Sequence, residues 1–286
     1  MKTPKQIQPL VDDGLVDEVL SRLMSGKEAD VYVVRCGDGT VRCAKVYKDA
    51  VKRSFKKAVQ YQEGRKVRNS RRARAMEKGS KFGRKQQEET WQNAEVDALY
   101  LLAGAGVRVP KPYDCLNGVL LMELIVDDDG DVAPRLNDIT MSKELALEDH
   151  ASVIESIKLM LCAGLIHGDL SEFNVLVDTN GPVIIDLPQA VYAAANNNAQ
   201  AMLERDVANM RRYYGQFAPE ILNSRYGQEL WSLFENGELQ PDTELTGRFK
   251  ENTEAADVDG VLLEIKSILE EEESRKQRER EADELD

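Results

Sequence analysis

Residues 31–47 alternate between apolar and polar on either side of Gly37-Asp38-Gly39, a pattern that predicts two β-strands joined by a tight turn. Ahead of them, residues 4–13 carry the spacing of a short helix ending at Asp13-Gly14, and residues 17–24, taken alone, also read as helix. Trp91, Ala94, Glu95, Ala98, Leu99 and Leu102 recur at helical spacing, so a helix is expected over residues 86–102, closed by Gly104 and Gly106. Residues 107–112 are expected to be extended, because positions before Pro110 and Pro112 avoid the helical region. An apolar strand follows over 119–126, cut off by Asp127-Asp128-Asp129-Gly130, and the run 183–186 reads as a second buried strand. Helical patterns cover 143–163, 198–217, 230–234 and 258–272. A β-rich first part and a helical second part describe an α+β chain of two lobes, joined near residues 122–127.

Composition narrows the class. The 286 residues are 42% hydrophobic and 31% charged, as expected of a folded soluble chain long enough for a sizeable core. No stretch nears the ~18 uninterrupted apolar residues of a membrane span, and Met1-Lys2-Thr3-Pro4 does not open a signal peptide. Cys36, Cys43, Cys115 and Cys162 form no Cys-x-x-Cys pair, so reduced thiols in a cytoplasmic protein without membrane association are expected. The net charge of −13 hides a basic segment: fourteen Lys/Arg fall within residues 51–86, against only Glu63 and Glu77. That segment, 52–85 at its core, suits a polyanionic partner such as RNA or a ribosomal particle. It equally suits a loop docked on the acidic remainder of its own chain.

The densest chemistry lies in Leu165-Ile166-His167-Gly168-Asp169-Leu170-Ser171-Glu172-Phe173-Asn174 and in Val183-Ile184-Ile185-Asp186. Asn174 follows Asp169 by five residues, and Asp186 lies twelve beyond that. Phosphoryl transfer from ATP needs such a set: one carboxylate to orient the acceptor hydroxyl, and an amide with a second carboxylate to hold magnesium against the phosphates. A His-Gly turn and a hairpin with incidental carboxylates is the plain alternative, and it leaves the spacing unexplained. His167, with no cysteine nearby and an apolar run before it, is expected to brace the loop rather than bind metal.

Weaker signals surround this core. In Ser25-Gly26-Lys27-Glu28-Ala29-Asp30-Val31-Tyr32, Gly26 would let the backbone approach a phosphate, with Ser25, Lys27 and main-chain amides as donors. An ordinary Ser-Gly turn would read the same. Lys45 closes the second hairpin strand and suits the α- and β-phosphates if Glu95 positions it; a solvent-facing edge lysine is the alternative. Met122-Glu123-Leu124-Ile125 ends a strand between the lobes, where backbone groups of Glu123 and Ile125 fit an adenine edge with Met122 behind it. Any core strand leading into a loop would share that pattern.

With Ala133-Pro134-Arg135-Leu136, Ile184-Ile185-Asp186-Leu187-Pro188-Gln189-Ala190 and Arg205-Asp206-Val207-Ala208-Asn209-Met210, these segments resemble the RIO family of atypical protein kinases. The likeness runs over residues 7–225, and is to the branch without an N-terminal winged helix. It implies a two-lobed protein-kinase-like α+β fold: a small β-rich lobe over 1–122 carrying the insert 51–86, a hinge at 123–126, a mostly helical lobe over 127–263, and a charged helix or tail over 264–286. Residues 17–24 would then be the first strand of the small lobe. The resemblance also implies ATP with magnesium, or manganese in its place. Nucleotide contacts would come from Ser25, Gly26, Lys27, Glu28, Val31, Cys43, Lys45, Glu95, Met122, Glu123 and Ile125, with Cys43 where many kinases place alanine above the adenine. Asp169 and Asp186 would be catalytic, and Asn174 and Asp186 metal ligands. Autophosphorylation on serine, ATP hydrolysis, an aspartyl phosphate at Asp186 and a role in small-ribosomal-subunit maturation belong to the same implication.

The chain departs from the family in places. It has Met24-Ser25-Gly26 where Ser-Thr-Gly is frequent, Leu187-Pro188-Gln189-Ala190 where Val-Ser-Gln-Ser is frequent, and Ala195-Asn196-Asn197-Asn198 where a His-Pro pair is common. Those changes put a eukaryotic-style ribosomal role in question and leave the catalytic positions intact. Two other readings share the loop: a small-molecule kinase of the aminoglycoside and choline type, and an ATP-gated RNA or ribosome-binding switch with little kinase activity.

Overall fold

Residues 17–24 are strand, not the helix their spacing suggests. In the computed structural model, which describes residues 2–26, 29–48 and 94–249, strand β1 (Val16–Ser25) pairs antiparallel with β2 (Ala29–Cys36) through three register shifts. Each shift interrupts the two-residue alternation of a strand, so the buried Val16 and Val19 fall three apart and imitate a helical repeat.

The expected hairpin is present, with β2 running into β3 (Val41–Tyr47). Asp38 accepts the Thr40 N–H at 3.0 Å across the turn, and Gly39 takes φ 78°, which suits glycine. A Cβ on Gly37 would collide with the Gly14 carbonyl, so the hairpin end seats on the turn after the first helix only because that residue is glycine.

Strands β4 (Pro112–Leu116) and β5 (Val119–Glu123) complete an antiparallel sheet of order β1-β2-β3-β5-β4. Alternation along β5 sends Val119 and Leu121 to one face, where they pack with Ile7 and Leu10 from helix α1 (Gln8–Asp12) and with Val34 and Val46. Leu120 faces the other way and joins Leu99 and Leu102 of helix α2, residues 94–104, in the main core.

The apolar run over 119–126 is only partly strand. Beyond Glu123 the chain crosses between lobes: Ile125 packs with Ala133 and Val183, and Val126 bridges Val132 around the aspartate-rich turn.

The second lobe rests on α3 (Lys143–Cys162), capped by Ser142 accepting the Leu145 N–H at 3.2 Å. It packs with α4 (Ala199–Tyr214) and α5 (Tyr226–Glu235). Helix α5 starts four residues earlier than its apolar pattern implied, because Gly227 lets it approach α4 closely; a Cβ there would stand 3.2 Å from the Glu204 Cα. Two short antiparallel pairs, β6 (Leu165–Ile166) with β9 (Val191–Tyr192) and the hairpin β7 (Val175–Asp178) with β8 (Gly181–Ile184), carry the motif loops.

The molecule thus has a two-lobed, kinase-like α+β fold. Lys27, Glu28, the basic insert 51–86, the start of the helix before Ala94, the pattern over 258–272 and the tail 264–286 lie outside the described residues. Among the described residues no helix is long and apolar enough to cross a membrane.

Candidate active site

Strand register gathers the expected nucleotide residues. Val31 pairs with Lys45, and Cys43 with Met122, so the four side chains share the sheet face toward the second lobe. They line a cavity of about 500 Å³ together with Gly26, Glu95, Glu123, Ile125, Asn174 and Asp186. Burial pushes the Cys43 thiol up to about 12, so it presents a neutral wall. Leu23, Met24, Val132, Leu176 and Ile185 add apolar surface the motifs had not singled out.

The electrostatic centre is Lys45. Its Nζ lies 2.5 Å from Glu95 Oε1 and 2.9 Å from Asp186 Oδ1. Burial disfavours its charge, but the Glu95 and then the Asp186 carboxylates outweigh that and hold the ammonium above its ordinary value. Glu95, 2% exposed, also accepts the Tyr47 hydroxyl at 2.6 Å, so its second oxygen is satisfied. Tyr47 was not foreseen; its sequence signal was only its place two residues beyond Lys45 on the same strand face.

Asp186 stands just past β8 with φ 66°, a left-handed conformation uncommon for a side-chain-bearing residue. Burial raises its carboxyl, but Lys45 in first place, with His167 and Arg135, holds it below the usual carboxylate range. Asn174 donates its Nδ2 to the Asp169 carbonyl at 2.9 Å, which leaves its amide oxygen, and it shares the cavity wall with Asp186. Among the described residues no cluster of three or more His, Cys, Asp or Glu is placed to hold a metal. One carboxylate and one amide oxygen nevertheless fit magnesium, which completes its shell with water and phosphate oxygens.

The loop that presents Asp169 is pinned from beneath. Asp206 of α4, 1% exposed, accepts the N–H groups of Gly168 at 2.8 Å and Leu170 at 3.1 Å, and Arg205 donates to the Gly168 carbonyl. Burial drives the Asp206 carboxyl up to about 6, against the pull of His167 and those amides. His167 meets the Asp169 N–H through Nδ1 at 3.2 Å and the Ile185 carbonyl through Nε2 at 3.0 Å; in the neutral ring this arrangement puts the proton on Nε2. It therefore braces the loop as expected. The Arg205-Asp206 segment was visible as a motif, but its task under the loop needed the fold. Asp169 is exposed and does not itself wall the cavity; Gln189, which does, donates to its Oδ2 at 2.9 Å.

Ser25 stands at the cavity's edge and not among its lining residues; its hydroxyl accepts from Lys48 Nζ at 3.1 Å while Lys48 also binds the Gly26 carbonyl at 2.7 Å and Asp30 at 2.9 Å, so the lysine fastens the turn.

A family model of the RIO domain matches residues 30–226. The chain belongs to the RIO domain family. It is 33% identical over 210 residues to the RIO-type serine/threonine-protein kinase Rio1 of Haloferax volcanii, covering 73% of this chain and 67% of that relative. It is 30% identical to the human serine/threonine-protein kinase RIO1, over 74% of this chain but only 36% of the human one. This RIO chain therefore spans little more than a third of its human relative. Among solved structures, the Rio2 kinase of Chaetomium thermophilum in an ADP/Mg2+-phosphoaspartate complex superposes with a TM-score of 0.52 at 23% identity, over 74% of this chain and 59% of that one, a likeness of fold.

Proposed function

We propose that this RIO chain binds magnesium-ATP in the interlobe cavity and transfers the γ-phosphoryl group to a serine hydroxyl. Family membership supports the class, an ATP-dependent serine/threonine kinase. The observation that carries the site assignment is the Glu95–Lys45–Asp186 chain of contacts at one end of the cavity, beside a loop built to hold Asp169. The Glu123 N–H is taken by the Lys111 carbonyl and the Ile125 carbonyl by Ala133; the Glu123 carbonyl and the Ile125 N–H would meet a purine edge. Lys45, held charged, would contact the α- and β-phosphates, and Asn174 with Asp186 would hold magnesium, whose charge neutralises the phosphate oxygens. Asp169 would orient the acceptor hydroxyl and accept its proton as the oxygen–phosphorus bond forms and ADP leaves. The test is transfer from γ-labelled ATP: Asp169→Asn should keep nucleotide binding and lose phosphate incorporation, and wild-type incorporation in that variant would refute the assignment.

A second reading of the same cavity has Asp186 itself as acceptor. The Rio2 structure is described as a phosphoaspartate complex, and here Asp186 is half-exposed within the cavity wall. The phosphoryl group would pass to a carboxylate oxygen, ADP would leave, and water would later release phosphate.

A further inference from the structure

We infer that Gln189 is a positioning residue for the acceptor side of the reaction: its amide clamps one oxygen of Asp169 and leaves the other to meet the acceptor. The inference rests on Asp169 being the acceptor-orienting group.

Gln189 donates Nε2 to Asp169 Oδ2 at 2.9 Å and also lines the nucleotide cavity, so it touches both halves of the site. The donor assignment is chemically forced, since the amide oxygen would repel a carboxylate at that distance. The residue stands on a rigid base. Leu187, 1% exposed, and Ala190, 6% exposed, are anchored in the core, and the Ala190 N–H closes on the Leu187 carbonyl at 3.0 Å. Pro188 sits at the first central position of that turn, where its fixed φ is already suited. The same segment carries Asp186 three residues earlier, and the Ile185 carbonyl is held by His167. One short buried-ended turn thus sets the phosphate side through Asp186 and the acceptor side through Gln189. A carboxylate without such a donor would turn freely about its last bond and offer either oxygen.

Gln189 is half-buried, so substitutions there leave the core intact. Single-turnover autophosphorylation should slow about tenfold to a hundredfold in Gln189→Ala, as for loss of a hydrogen bond to a charged group, with magnesium-ATP kept saturating so that any change in ATP affinity stays out of the rate. Gln189→Glu keeps the length and bulk of the side chain but removes the donor, so it should be slowed at least as much as Gln189→Ala while its melting temperature stays at the wild-type value. A purely structural role would lower melting temperature and rate together. Wild-type rates in Gln189→Ala, with Asp169→Asn inactive, would overturn the inference and spare the proposed function. Wild-type rates in Asp169→Asn would overturn both.

Discussion

Lys45 lies 2.9 Å from Asp186, a contact that spans 141 positions of sequence and ties strand β3 of the small lobe to the segment after β8. On the opposite side the same ammonium meets Glu95, which is almost wholly buried. The lysine therefore links the lobes in addition to its proposed role as a phosphate ligand, and the two duties separate in a mutant cycle.

Lys45→Met should lose nucleotide affinity and also about 3–5 kcal/mol of stability, because Glu95 would be left buried without its cation. Adding Glu95→Gln should restore part of the stability and none of the affinity. Denaturant unfolding and nucleotide titration on the two variants read these separately. A Lys45→Met protein as stable as wild type would show that Glu95 finds another partner.

Asp186 invites a test through its backbone. Glycine accepts φ 66° without penalty and alanine does not, so Asp186→Gly should be about 1 kcal/mol more stable than Asp186→Ala. Both should lose the magnesium-dependent part of ATP affinity. If Asp186 is phosphorylated, wild-type protein treated with ATP should carry a hydroxylamine-labile phosphate at this position; incorporated label found only on serine would exclude the aspartyl intermediate.

How far the residues alone reached depends on the range of the cause. The β2–β3 hairpin follows from alternation and a glycine turn, both local, and it appears where expected. The expectation of helix for 17–24 failed because bulges that form only against a paired strand respaced its buried residues. The grouping of Asn174 with Asp186 was legible because residue type and spacing restrict the chemistry tightly, whereas the pairing of Lys45 with Glu95 was legible only in company with that loop. Tyr47, Asp206 and Gln189 escaped assignment for one shared reason: each acts on a residue far away in sequence, and a tyrosine, an aspartate or a glutamine has many ordinary uses.

His150 predicts an acid limb in stability. It is 5% exposed, lies edge-on to Tyr214 at 5.7 Å, and its Nε2 is buried without a hydrogen-bond partner among the described residues. Burial drags its imidazole down to about 4 from an ordinary 6.5. Between those values the unfolded chain takes a proton that the folded one refuses, so stability falls as pH drops from 6.5 toward 4, by up to ~1.4 kcal/mol per pH unit. The neighbouring Asp149 acts in the opposite sense: burial, then Glu148, raises it to about 6, and its contribution falls as pH rises. Asp149 is common to wild type and His150→Phe, so the difference in their unfolding free energies across pH isolates the histidine. A difference that does not change with pH would refute it.

The basic segment gives the boldest expectation. Fourteen cations in residues 51–86 exceed what solubility requires of a chain at −13, and they favour a polyanion held through its phosphates. With a structured RNA hairpin as probe, affinity should fall steeply as salt rises, because each neutralised phosphate releases counterions. Base preference should be slight, since Phe55, Tyr61 and Phe82 are the only aromatic residues available for stacking there. Replacing Arg68, Arg71, Arg72 and Arg74 by glutamine should weaken RNA binding and flatten its salt dependence, with ATP affinity unchanged. If RNA binding at low salt were untouched and ATP affinity altered instead, the segment would serve the nucleotide cavity and not a nucleic acid.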